Sequence, residues 1–238
     1  MRHFVFAITG IIVGTLALTG CTGTSDTEDG SGSVAPAFPE GTGQQPAGAK
    51  AYPEGPYGVS KGSIIANYKF VGYANSLLAN QLLQPIELAD FYNPTKDGKY
   101  DAGSVMGEGN LKPKALEIDV ASVWCGPCNY EAQSILPGLY NKYKPQGGEI
   151  LLQLADGPTP GKAATTKSLF NWTTKYKVDY PATIDPTYKL SALFDQDAFP
   201  ANMIIDTSTM RIVEVIAGAP EPGSSFWKTY EKVLAGTL

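Results

Sequence analysis

Histidine is all but missing from this chain: one occurs among 238 residues, His3, near the N-terminus. Beyond it no imidazole exists, which excludes Cys–His proteases, histidine general bases and histidine-ligated metal sites from the rest of the molecule. Cysteine is scarce as well, three in all (Cys21, Cys125 and Cys128), too few for a disulfide-stapled scaffold. Basic runs are lacking, and a net charge of −5 with a pI near 4.9 argues against a nucleic-acid-binding surface. What the chain does have is 43% hydrophobic residues and 13 tyrosines, enough to fill a core and to exclude wholesale disorder.

Two of the three cysteines stand together in Trp124-Cys125-Gly126-Pro127-Cys128, after an apolar run and before a helical pattern. A helix N-terminus offers unpaired N–H groups and the positive end of a dipole. Both favour a thiolate, so Cys125 is expected to have a lowered pKa, to be reachable and to act as nucleophile. Cys128, one turn deeper, can attack the mixed disulfide that Cys125 forms and release the product. Gly126 keeps the turn open to a partner, and Pro127 suits a first helical turn, where no N–H is needed. A purely structural disulfide here would close a tiny loop worth about 2 kcal/mol. Half a zinc site would need two further ligands that the chain beyond the leader does not offer. No metal and no cofactor is therefore expected.

Tryptophan before Cys-Gly-Pro-Cys resembles the thioredoxin family closely, and so does Phe199-Pro200 directly before Ala201-Asn202-Met203-Ile204-Ile205-Asp206. The resemblance implies that Pro200 is a cis proline opening the strand that faces the dithiol. It also implies that Phe199 and Pro200 form the edge for an extended substrate segment, with Trp124 walling the same groove. Asp119, six residues before Cys125, matches the acid that thioredoxins bury beneath their second cysteine, where it takes the proton of the resolving thiol. The other reading of Asp119 is a solvated acid at a strand end. Glu131, three past Cys128, matches an acid near the dithiol in exported reductases of the cytochrome c maturation type. It reads equally as an exposed acid in the first turn of a helix, favoured there by the dipole.

The N-terminus supplies an address. Arg2 and His3 precede Phe4 to Gly20, 17 residues without charge, and Leu18-Thr19-Gly20-Cys21 closes the segment. This resembles a bacterial lipoprotein leader ending in a lipobox, with Cys21 the lipidated residue. An uncleaved membrane anchor is the alternative, and 17 residues is borderline for a span. The expected organisation is a leader at 1–20, a lipidated tether at 21–56 and one domain at 57–238. The tether is rich in Gly, Ser, Thr, Pro and Ala, and its reach is roughly 30–35 Å.

Within the domain, strands are expected at Ile64–Tyr73 and Pro85–Leu88; together they resemble the N-terminal hairpin of the membrane-anchored and redoxin branches of the thioredoxin family, and Asp90–Asp101 is expected as a plain surface turn with only a faint likeness to a calcium loop. Leu116–Ala121 alternates, sending Leu116, Ile118 and Val120 to one face and Glu117 and Asp119 to the other, and Glu117 has no evident partner. A helix should follow Cys128 to about Tyr143, kinked by Pro137. Further strands are expected at Glu149–Ala155, Pro181–Ile184, Ala201–Ile205 and Arg211–Ala217. Helices are expected at Lys162–Tyr176, Pro186–Phe194 and around Phe226, Tyr230, Val233 and Leu234, with Trp172 in the core.

The fold class this implies is α/β and thioredoxin-like: a central mixed β-sheet flanked by helices, with an N-terminal β-hairpin extension. The activity implied is thiol–disulfide exchange on exported protein substrates, at the outer face of a membrane. Gly-Pro between the cysteines is the pairing of reducing thioredoxins, at about −270 mV against about −120 mV for the strong periplasmic oxidant. That direction requires an electron donor across the membrane. A thiol oxidase or isomerase, and a non-catalytic module holding metal or a partner, are the competing readings.

Overall fold

The computed structural model describes residues 50–58, 60–75, 82–190 and 198–238. The leader, Cys21 and most of the tether lie outside the described residues. Seven strands among the described residues form one mixed sheet: β1 Lys69–Tyr73, β2 Gln84–Glu87, β3 Ala115–Ser122, β4 Gly148–Asp156, β5 Ala182–Ile184, β6 Ala201–Asp206 and β7 Arg211–Ala217. Their spatial order is β2-β1-β5-β4-β3-β6-β7. β3, β4 and β5 run parallel; β6 and β7 add antiparallel on one side, and the β1–β2 hairpin adds antiparallel on the other. The hairpin pairing expected from the sequence is thus present.

β3 and β4 are buried at every residue, as strands covered on both faces must be. The alternation of β3 divides its apolar residues between two cores. Leu116, Ile118 and Val120 enter one with Met203, Ile205, Ile212, Phe70 and Ile86. Ala115 and Ala121 belong to the other, which collects the apolar stripes of the helices. Those helices are α1 Gly126–Tyr130, α2 Leu136–Tyr143, α3 Thr166–Tyr176 and α4 Ser225–Ala235. They contribute Ala132 (from the turn between α1 and α2), Leu139, Leu169, Trp172, Tyr176, Phe226, Trp227 and Val233. No helix among the described residues is long and apolar enough to cross a membrane.

Three sequence expectations change. The domain begins before Tyr57: Tyr52 is buried and its hydroxyl donates to the Ile65 carbonyl at 2.8 Å, and Lys50 pairs with Glu87 at 2.9 Å. The Asp90–Asp101 stretch is no plain surface turn. Phe91 and Asn93 are wholly buried, and the Asn93 amide donates to the Lys112 and Pro113 carbonyls while its oxygen accepts from Gly98 N–H. A side chain so engaged closes a backbone turn and is no calcium ligand. Finally, residues 186–190 form turns where a helix was expected, the rest of that segment lying outside the described residues.

The helix after the dithiol breaks earlier than Pro137. Glu131–Ile135 is a π-helical turn, closed by Leu136 N–H on the Glu131 carbonyl. A proline inside an α-helix lacks its N–H and clashes with the carbonyl four residues back, here Gln133. Widening the preceding turn relieves both, and Pro137 then sits in the opening turn of α2.

α4 is fastened to the sheet by one hydroxyl. Tyr230 OH accepts from Glu149 N–H at 2.8 Å and lies within reach of the Ala115 and Glu149 carbonyls, at 3.1 and 2.9 Å. Tyr230→Phe leaves these buried groups short of a partner and is expected to lower unfolding stability by about 1–3 kcal/mol. Denaturant melts measure it, and an unchanged midpoint would show the hydroxyl to be dispensable.

Candidate active site

β3 delivers the chain to the dithiol. After Ser122 the strand ends, Val123 N–H bonds to the Asp156 carbonyl, and Cys125 N–H to that of Ser122. Cys125 caps α1 in extended conformation, with Pro127 in the first turn as expected. The two cysteines form a disulfide, and Cys128 N–H points at Cys125 Sγ, 3.1 Å away. The helix start therefore offers a donor to the first sulfur.

Accessibility differs from the expectation. Cys125 is 3% exposed and Cys128 1%, so in the oxidised state the first sulfur is barely reachable. Trp124, Gly126 and Pro127 form the exposed rim around it, and a side chain added at Gly126 would meet open space. Across the rim the Phe199–Pro200 peptide is cis. Phe199 packs against the cluster holding both cysteines, and its ring meets Trp124 edge-on at 5.9 Å. The pairing Val120↔Ala201 sets the register that brings Pro200 to this end of the sheet.

β3 and the π turn that follows Cys128 bring three buried acids together. Asp119 is 1% exposed and Glu131 0%, so neither is the solvated acid of the alternative readings. Glu117 stands two residues before Asp119 on the same face, also wholly buried. Both oxygens of Glu117 and Oδ1 of Asp119 lack a hydrogen-bond partner. Burial penalises the charged form and lifts Asp119 to about 7. Burial, then the neighbouring Asp119, raises Glu131 to about 10, against a hydrogen bond with Asn202 that lowers it. Glu117 is pushed well above the usual carboxylate range by burial and then by Asp119 and Glu131. Asn202 sits opposite Asp119 on β6 and donates to the Gly218 carbonyl.

Two further side chains hold the rim, and neither was found from the sequence. Asp156, at the end of β4, accepts from Trp124 Nε1 at 2.8 Å, from Tyr188 OH at 2.7 Å and from Gly161 N–H at 2.8 Å. Asn129 donates to the Val123 and Cys125 carbonyls and accepts from Tyr176 and Lys175, tying the motif to α3. Their only sequence signal was nearness to the motif or to a strand end.

No family profile matches this chain, and no curated protein is similar to it in sequence. Solved structures are similar in fold. One is a protein from Chlorobium tepidum assigned as the thiol:disulfide interchange protein DsbE. It is 16% identical with a TM-score of 0.52, the match covering 74% of this chain and 99% of that one. Another is a DsbF homologue from Corynebacterium diphtheriae, 13% identical with a TM-score of 0.50, covering 79% and 96%. The fold of this chain is thioredoxin-like.

Proposed function

We propose that this protein is a thiol–disulfide oxidoreductase, tethered to the cell envelope through Cys21 and working as a reductase of exported proteins. The observation that carries the reading is the Cys125–Cys128 pair at the head of a helix, beside cis-Pro200 and above a buried carboxyl cluster. The DsbE assignment of a protein with this fold, at low identity, supports it.

In the reduced protein the Cys125 thiolate attacks one sulfur of a client disulfide. A bond forms from Cys125 Sγ to that sulfur, and the second client sulfur leaves as a thiolate that takes a proton from water. Cys128 then passes its proton to Asp119 and attacks Cys125 Sγ, expelling the first client sulfur. Two electrons move from the dithiol to the client, leaving the Cys125–Cys128 disulfide. A dithiol donor fed from across the membrane restores the reduced state. Phe199 and Pro200 give the client segment an edge for backbone pairing, and Trp124, Gly126 and Pro127 bound its groove.

The testing experiment is equilibration of the dithiol with glutathione, together with reduction of insulin disulfides by the full chain plus dithiothreitol. A potential near that of thioredoxin, about −270 mV, with insulin reduction is expected. A potential near about −120 mV overturns the reductase direction in favour of an oxidase. Inert cysteines that bind copper would instead favour a metal-holding module.

A further inference from the structure

A strand covered on both faces is normally apolar on both. β3 departs from this at Glu117 as well as at Asp119. Glu117 is paired with Ile150 on β4 and Ile204 on β6, is 0% exposed, and has neither carboxyl oxygen hydrogen-bonded. It shares the helix-facing side of β3 with Ala115, Asp119 and Ala121, as the two-residue period requires. The titratable groups that face it are Asp119 on its own strand, Glu131 on the π turn, Tyr180 before β5 and Tyr230 on α4. No cation forms an ion pair with it among the described residues. A leucine would fill this place without the penalty of an unpartnered polar group, so Glu117 needs a reason.

We propose that Glu117 is the inner member of a three-carboxyl proton store beneath the dithiol, with Asp119 and Glu131, and so a positioning residue for proton transfer at Cys128. This rests on the oxidoreductase reading. Like charges this close in a dry interior do not ionise together. At most one of the three is therefore ionised near neutral pH, and Asp119 is the one that gives up its proton most readily. When Cys128 loses its proton to attack Cys125, the store takes that proton and becomes neutral. On re-reduction by a dithiol donor the proton returns to Cys128. Glu117 holds its own proton throughout and senses the change through Asp119.

Reduced-minus-oxidised infrared difference spectra of the full chain test this, with dithiothreitol as reductant. The wild type is expected to show bands of protonated carboxyls, and Glu117→Gln to lose one component of them. The equilibrium of the dithiol with dithiothreitol, measured from pH 6 to 9, should also change shape in Glu117→Gln at the alkaline end. Glu117→Leu, an apolar filler expected to fold at least as well, should give the same two losses. If both variants reproduce the wild-type spectrum and pH curve, Glu117 is only tolerated burial and the proposal falls while the oxidoreductase reading stands. A wild-type chain that never equilibrates with dithiothreitol overturns both.

Discussion

Replacing Cys128 by serine is expected to stop turnover and leave Cys125 covalently joined to its client. The nucleophile is intact, so the first exchange still occurs, but no second thiol remains to expel the bound sulfur. The adduct should appear on non-reducing gels as a species that dithiothreitol collapses. Cys125→Ser, by contrast, should give neither turnover nor adduct. Its remaining thiol lies inside α1, a turn in from the N-cap position that Cys125 holds at the exposed rim, so a protein disulfide does not reach it. Either change should lower multiple-turnover insulin reduction by roughly a thousandfold or more, the scale on which losing a nucleophile acts. Equal trapping by both variants would show the two sulfurs to be interchangeable, and the assignment of roles would fail.

The second large effect concerns Asp119 and has two opposite signs. Its carboxyl is held at about 7 in the folded chain, by burial, against 3.8 for a free aspartate. A group whose folded pKa is raised favours the fold fully below its unfolded value, and that stabilisation is lost as pH rises through the folded value. Stability should therefore fall between about pH 4 and pH 7, with Asp119 contributing on the order of 4 kcal/mol. Glu131, at about 10, and Glu117 act in the same direction and extend the fall to higher pH. Asp119→Asn stays neutral, so it should be more stable than wild type at pH 8 and nearly equal to it at pH 4. The same variant loses the acceptor for the Cys128 proton, and its resolving step at pH 8 should slow on the order of a hundredfold. Denaturant melts at the two pH values and stopped-flow decay of the mixed disulfide measure the pair. A variant as labile as wild type at pH 8, or as fast, would remove Asp119 from the chemistry.

The two outcomes together would describe a familiar exchange of stability for function. Three buried carboxyls beneath one disulfide are a burden on the fold. The sheet tolerates them because both of its faces are otherwise filled: Leu116, Ile118 and Val120 on one side, the helix stripes on the other.

The amino-acid sequence by itself determined the dithiol, the face on which Asp119 lies and the succession of strands along the chain, and the family resemblance pointed to Pro200. These are local or periodic properties: two thiols at fixed spacing, a two-residue alternation, a proline before an apolar run. Neither the enclosure of Glu131 nor the company of Glu117 is written in that periodicity. A first-turn acid and a strand acid look solvated until it is known what covers them, and the cover here is the π turn, α4 and the register of β6 against β3. The same holds for Asp156 and Asn129, which reach the motif across 32 residues of chain in one case and from within its own helix in the other. Only tertiary structure decided those contacts, because the proton affinity of a carboxyl and the seat of an indole ring depend on what excludes water around them, and that depends on neighbours distant in the chain.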